Sequence, residues 1–196
     1  MSDEFFVGLD FGTSGARISI INQKRELKYS NSVSYKYGFK NPISWINSSE
    51  KLLDSLPLAI KNNIINLAIS GTSGTLTASN LRGDPLGEAI PYDLACNENR
   101  ILIESIAFGE DHLQTPYSSL AKALKLIDIY GKNILLRHQS DWITGWFLKD
   151  WTYGEEVNNL KLGWDLIKES WPTSYLNTSW QKCLPIIIKG GEIIGQ

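Results

Sequence analysis

An excess of positive charge is missing from this 196-residue sequence, in which 19 Lys and Arg stand against 21 Asp and Glu for a net charge of −2. That balance removes the broad electrostatic case for nucleic acid or an anionic membrane as partner. No apolar run approaches the ~18 residues needed to span a bilayer. The N-terminus, Met1-Ser2-Asp3-Glu4, is acidic and lacks the apolar core of a secretory signal. Cysteine is scarce. Cys96 and Cys183 lie far apart and form no metal-type pair, so they read as reduced thiols of a cytoplasmic protein. His112 and His138 have no metal-spaced partner. Glu155 and Glu156 are adjacent and so face different ways on a strand or a helix, which excludes a glycosidase-type dyad. No Ser/Gly linker, low-complexity tract or long like-charge run divides the chain. Its length suits one large domain or a tight pair, at ~100–200 residues per domain.

What is present is a chain that can fold: 42% of its residues are hydrophobic. Apolar runs at Phe5–Leu9 and Ala16–Ile21, followed by Glu26–Val33, predict a β-meander at the start. In the second run Ala16, Ile18 and Ile20 share one face, while Arg17, Ser19 and Ile21 share the other. The period then changes. Asn41-Pro42 reads as an N-cap with proline at the first helical position. Trp45, Ser49, Leu52, Leu53, Leu56 and Ile60 follow at helical spacing. Pro57 predicts a break near Ser55 or a restart at Pro57. Ile64–Ile69 predicts a buried strand, with a short return strand at Leu76–Ala78. Thr115-Pro116 predicts a second capped helix, amphipathic through Tyr130 and stopped by Gly131. Ile134–Leu136 is a strand candidate, and Ser140 is placed to cap a further helix. From Trp142 onward the elements look short and tryptophan-rich.

The most informative stretch is Val7-Gly8-Leu9-Asp10-Phe11-Gly12-Thr13-Ser14-Gly15. An apolar strand ends in a carboxylate and runs into a tight turn. Such turns gather backbone N–H groups in a concavity that favours phosphate. A carboxylate beside the turn can hold the Mg²⁺ that travels with a nucleotide. The turn is neither a P-loop nor G-x-G-x-x-G, and by itself Gly-Thr-Ser-Gly is also an ordinary hairpin turn. Asp10 favours the phosphate reading, because a charge ending a buried strand needs a partner, water or a metal. Gly-Thr-Ser-Gly recurs at Gly71–Gly74, where Thr72 and Ser73 offer hydroxyls to a ligand or simply form a strand exit. Tyr92-Asp93 and Asp141-Trp142 each put an aromatic face beside a carboxylate, a pairing that suits sugars. For Asp141 the competing reading is helix-dipole stabilisation in a first turn.

Taken together these segments resemble the N-terminal domain of an FGGY-type carbohydrate kinase, over nearly the whole chain. Asp10-Phe11-Gly12-Thr13-Ser14 resembles the family's first phosphate motif, and Ser70-Gly71-Thr72-Ser73-Gly74 its substrate loop. Ala89-Ile90-Pro91-Tyr92-Asp93 resembles the segment that lends side chains to the sugar. Gln139-Ser140-Asp141-Trp142 and Asn158-Asn159-Leu160-Lys161-Leu162-Gly163-Trp164-Asp165 resemble two later signatures. The pattern is most similar to pentulose kinase-like proteins of cyanobacteria and plants, which resemble xylulose and ribulose kinases. The resemblance implies an α/β, ribonuclease H-like (actin-like ATPase) domain whose mixed sheet opens with the meander and is flanked by helices. It implies ATP and Mg²⁺ as cofactors, with Asp10 at the metal and Gly12, Thr13 and Ser14 at the phosphates. It also implies sugar contacts by Ser73, Thr72, Tyr92 and Asp93, and transfer of the γ-phosphoryl of ATP to a ketopentose such as ribulose or xylulose.

The sequence departs from the family pattern twice. Gly154-Glu155 stands where the family often has Ser/Thr-Asp. The family's catalytic Asp and nucleotide-binding second domain are expected beyond Gln196. On this reading residues 1–196 form the sugar-binding domain and are inactive or nearly so alone. A rival expectation is a non-catalytic interaction module, a kinase remnant or half of a split enzyme, whose partner is a separately encoded C-terminal kinase domain or a second copy. An actin- or chaperone-type ATPase is a third, and the sugar-loop matches argue against it.

Overall fold

The computed structural model describes residues 4–195, so Met1–Asp3 and Gln196 lie outside the described residues. The chain divides into two compact units, 1–72 and 73–196. No linker marks the boundary, which falls inside the second Gly-Thr-Ser-Gly.

The first unit is built on the expected meander. Strands β1 (Phe5–Phe11), β2 (Gly15–Asn22) and β3 (Leu27–Ser34) run antiparallel in sequence, and β4 (Ile64–Gly71) joins parallel to β1, giving the order β3-β2-β1-β4. Alternation sorts the side chains. Phe5, Val7, Leu9 and Phe11 are buried on one face of β1, matched by Ala16, Ile18 and Ile20 on β2. Helix α1 (Pro42–Asp54) packs on β2 and β3. It begins as expected, with the Asn41 side chain accepting from Ile43 N–H at 2.9 Å and Pro42 in its first turn. Trp45 is its buried anchor, with the indole N–H donating to Phe39 O at 2.9 Å. The chain leaves the helix at Ser55 and restarts after Pro57 as the single turn α2 (Leu58–Lys61), because proline cannot donate to a continuing helix. The strand β4 departs from expectation. It stands at a sheet edge and none of its residues is fully buried.

The second unit begins with β5 (Leu76–Ser79), all four residues of which are buried. It is not a return strand along β4 but pairs antiparallel with β6 (Leu135–His138). Between them come α3 (Arg100–Ile106) and α4 (Ser119–Tyr130), and α5 (Gln139–Leu148) follows β6 directly. Helix α4 packs on β5 and contributes Leu120, Leu124 and Ile127 to a core shared with Leu76, Leu136, Leu162, Tyr175 and Trp180. Its cap is Ser118, whose hydroxyl accepts from Ala121 N–H at 3.1 Å. Thr115 is instead engaged in a local turn, accepting from Tyr117 N–H at 3.0 Å. Similarly, His138 and not Ser140 occupies the N-cap of α5.

The remaining elements are short: β7 (Tyr153–Glu155), α6 (Glu156–Asn159), a 3₁₀ turn at Leu160–Leu162, α7 (Thr173–Leu176), a second 3₁₀ turn at Gln181–Cys183, and β8 (Ile186–Ile188), which is parallel to β7. Side chains hold this region together. Trp171 lies 5.3 Å from Trp164 and 6.3 Å from Tyr175 between ring centroids, and Tyr175 lies 5.0 Å from Trp180. The buried Arg137 guanidinium donates to four carbonyls, those of Leu136, Trp151, Thr152 and Cys183. Cys96 and Cys183 are both free and buried. Among the described residues no helix is long and apolar enough to cross a membrane.

Candidate functional site

The residues singled out from sequence fall in both units. Asp10, Gly12, Thr13, Ser14 and Thr72 belong to the first, and Ser73, Tyr92 and Asp93 to the second.

In the first unit, β1 and β2 are joined by the Gly12–Gly15 turn, closed by a Gly12 N–H bond to Gly15 O at 3.0 Å. Thr13 and Ser14 are exposed at its tip. Tyr35, which the sequence did not flag, latches the turn from its carbonyl side. Its hydroxyl donates to Gly12 O at 2.9 Å and its N–H to Ser14 O at 3.3 Å. Asp10 lies on the open face of β1 with Phe6 and Gly8, opposite the buried row. Of the partner, water or metal that the sequence argument asks for at Asp10, the structure supplies a partner and exposure to water. Asp10 is half-exposed and faces Arg17 across the β1–β2 pair at 3.4 Å. Both side chains are more than half exposed, so this pair contributes only ~0–1 kcal/mol. On its other flank Asp10 is in register with Ser70 of β4. The carboxylate is therefore placed but not locked.

This arrangement fits the metal–nucleotide reading in a limited way. A Cβ at Gly12 would meet nothing closer than Gly15 O at 3.7 Å, so the backbone there is open to a close-approaching group. Among the described residues no three His, Cys, Asp or Glu gather into a metal cage. One carboxylate suits Mg²⁺ carried on a nucleotide, where phosphates and water supply the remaining ligands.

In the second unit, Ser73, Tyr92 and Lys161 converge around Gly74. Gly74 has φ +88°, and a Cβ on it would meet Lys161 Cδ at 3.2 Å and Tyr92 Cβ at 3.5 Å. The positive φ favours glycine, and a Cβ would require the Lys161 side chain to shift slightly. The Lys161 ammonium donates to Ser73 O at 3.3 Å. Tyr92 and Asp93 are exposed and follow Ile90, whose N–H and C=O both bond to Leu76 on β5. Beneath them is Lys122 of α4, fully buried, donating to the carbonyls of Tyr92 (3.3 Å) and Tyr117. Burial pushes the Lys122 ammonium down to about 8. Sequence reasoning missed Lys122 because nothing in the periodicity of α4 separates it from a solvent-facing lysine.

A buried polar network supports this region. Asp141 accepts from Glu155 N–H at 3.2 Å and from the side-chain amides of Asn159 at 3.0 Å and Asn158 at 3.4 Å. Burial outweighs these bonds and raises its carboxyl to about 7. His138 pairs with Ser119 Oγ at 2.9 Å through Nε2 and lies 3.9 Å from Asp141 through Nδ1. Burial lowers it to about 3. Glu155 uses both carboxylate oxygens to cap α6, on Val157 and Asn158 N–H, so its carboxylate is committed to structure. Asp141 thus ties α5 to the Glu155–Asn159 segment, which leads into Lys161. Its location in a first helical turn was legible, but its partners from 14 to 18 residues away were not.

No protein-family model matches the sequence. Solved structures do match. A xylulose kinase from Brucella ovis superposes with TM-score 0.80 at 18% identity, over 98% of this chain and 45% of that one. Plasmodium falciparum glycerol kinase with ADP gives 0.76 at 16% identity, over 94% and 43%. Gluconate kinase from Lactobacillus acidophilus gives 0.77 at 14% identity, over 95% and 42%. The chain spans less than half the length of each of these proteins. Identities this low establish the fold alone, and the fold is the α/β one with a mixed sheet that the sequence resemblance implied.

Proposed function

We propose that residues 1–196 form the sugar-binding part of an ATP-dependent carbohydrate kinase, and that the sugar is a ketopentose, ribulose or xylulose. The observation that carries this reading is the convergence of Ser73, Tyr92 and Lys161 on the Gly74 turn, with Asp93 next in the chain. A hydroxyl, a carboxylate and an aromatic face are the groups that recognise a polyol: the first two hydrogen-bond its hydroxyls and the third covers its C–H surface. The solved kinases of similar fold act on xylulose, glycerol and gluconate by their names, which favours a polyhydroxylated substrate. When bound, MgATP would supply the phosphoryl group and neutralise its charge. Asp10 would hold the metal, and Gly12, Thr13 and Ser14 the phosphates. The catalytic base is expected outside residues 1–196.

Calorimetric titration of the purified chain with D-ribulose and D-xylulose tests the sugar assignment. Saturable binding of at least one sugar is expected, weakened about tenfold by Ser73→Ala and by Asp93→Asn, the loss of one hydrogen bond to a ligand in each case. Absence of binding to either sugar, or indifference to both substitutions, overturns it.

A second reading is a non-catalytic interaction module whose partner is a kinase C-terminal domain or another copy. Light scattering across a concentration series separates the two, since a simple sugar-binding fragment stays monomeric.

A further inference from the structure

Lys122 is the one fully buried lysine among the described residues, and none of its ion pairs with a carboxylate falls within 4 Å. Its neighbours along α4, from Leu120 to Ile127, are apolar apart from Lys125. A methionine would fill the same volume without drawing a charge out of water, so packing does not explain a lysine here. Its acceptors do. The ammonium donates to Tyr92 O at 3.3 Å and to Tyr117 O, two carbonyls from segments 25 residues apart. Tyr92 C=O and Asp93 N–H belong to one planar peptide, so fixing the carbonyl fixes the direction in which Asp93 leaves it.

We propose that Lys122 is a positioning residue for the sugar site, clamping the Tyr92–Asp93 peptide to the start of α4 so that Asp93 and Tyr92 are presented to the ligand. The proposal rests on the sugar-binding reading above. Lys122 itself does not touch the sugar.

The ionisable groups facing Lys122 come from four other segments. They are Cys96 from the loop before α3, Asp93 from the loop after β5, His138 from the end of β6, and Lys161 from the 3₁₀ turn. Burial is the main cause of its lowered value of about 8; Lys161 acts in the same direction, while Cys96 and Asp93 oppose it. Two consequences have opposite signs. Loss of the proton weakens the clamp, so sugar affinity falls as pH rises through about 8. The unfolded chain keeps its lysine proton up to 10.5, so between about 8 and 10.5 the unfolded state binds more protons and folding stability rises with pH from this group. A lysine with a purely structural role would not make affinity and stability diverge.

The experiment compares wild type with Lys122→Met. Expected for the variant are an equal or higher denaturation midpoint, faster amide hydrogen exchange at residues 92–94, and about tenfold weaker binding of D-ribulose or D-xylulose, the loss of one charge-assisted bond. Wild-type affinity should fall severalfold between pH 7 and pH 9.5, and that of the variant should stay flat. Unchanged exchange at 92–94 together with unchanged affinity overturns the proposal. If the variant does not fold, Lys122→Gln decides by the same readouts: exchange at residues 92–94 and affinity both unchanged overturn the clamp. If wild type binds neither sugar, the sugar reading fails, and exchange at 92–94, corrected for intrinsic rate and followed with substitution or pH, still decides whether Lys122 holds that peptide.

Discussion

Gly12 and Gly15 bracket the same turn and do opposite work. A Cβ at Gly15 would lie 2.1 Å from Val33 O and 3.0 Å from Ser34 Cα, both backbone atoms of the neighbouring strand that cannot swing away. Gly15→Ala is expected to destabilise the chain by about 2 kcal/mol, as overpacking does, and to lower the melting temperature by about 5 °C. At Gly12 the nearest atom is 3.7 Å away, so Gly12→Ala should leave stability within ~0.5 kcal/mol of wild type. Thermal denaturation of the two variants checks this; equal losses would mean that the turn is held differently. Both glycines were legible as turn residues from composition alone. Their difference was not, because it depends on how close β3 comes to β2. The same holds for Asp10. Its place beside a turn could be read from the chain, while its exposure depends on the pleat of β1, which sets it on the face opposite Leu9 and Phe11.

At the scale of elements, the junction of β6 and α5 carries two buried ionisable groups with opposed tendencies. Asp141 stands at about 7 against an ordinary 3.8, so the folded chain holds this proton more tightly than the unfolded one. Its stabilising contribution is present at low pH and is lost as pH rises from about 4 to about 7. His138 stands at about 3 against 6.5, so its contribution is present above about 6.5 and is lost as pH falls toward 3. Between pH 4 and 6.5 the two slopes nearly offset. Asp141→Asn keeps the hydrogen-bonding shape but removes one slope. Its stability should then rise with pH across that window more steeply than wild type, by up to about 1.4 kcal/mol per pH unit for one proton. Urea midpoints at three pH values check this, and parallel profiles for the two proteins would exclude a buried titrating Asp141. The elements themselves were largely legible where local chemistry decides, as with Asn41-Pro42 opening α1 and Gly131 closing α4. Ser118 replaced Thr115 as a cap because two hydroxyls competed and one had formed its own turn. Strand β4 read as buried because its apolar run is continuous, yet its burial is set by its place at the sheet edge.

At the scale of the whole molecule, short contiguous motifs carried the fold class, since each is read within one segment and their order along the chain is itself informative. The boundary at Thr72–Ser73 was not legible, because it lies in a tight turn with no compositional change. The chain matches less than half the length of each kinase of similar fold. Phosphoryl transfer relies on positioning both reactants and neutralising charge in a site closed to water. Within the described residues the Gly12–Gly15 turn offers one carboxylate, which faces Arg17. On the proposed reading, in which the catalytic base lies outside residues 1–196, these residues alone are expected to bind ketopentose but to show turnover with MgATP no higher than background. A coupled assay for ADP release, run with D-ribulose and D-xylulose beside the Asp10→Ala variant, checks this. Background rates in both proteins, with sugar binding intact, fit a domain that binds sugar and requires a complement for transfer. Sugar-dependent ADP release that Asp10→Ala abolishes would show instead that these residues complete the reaction unaided.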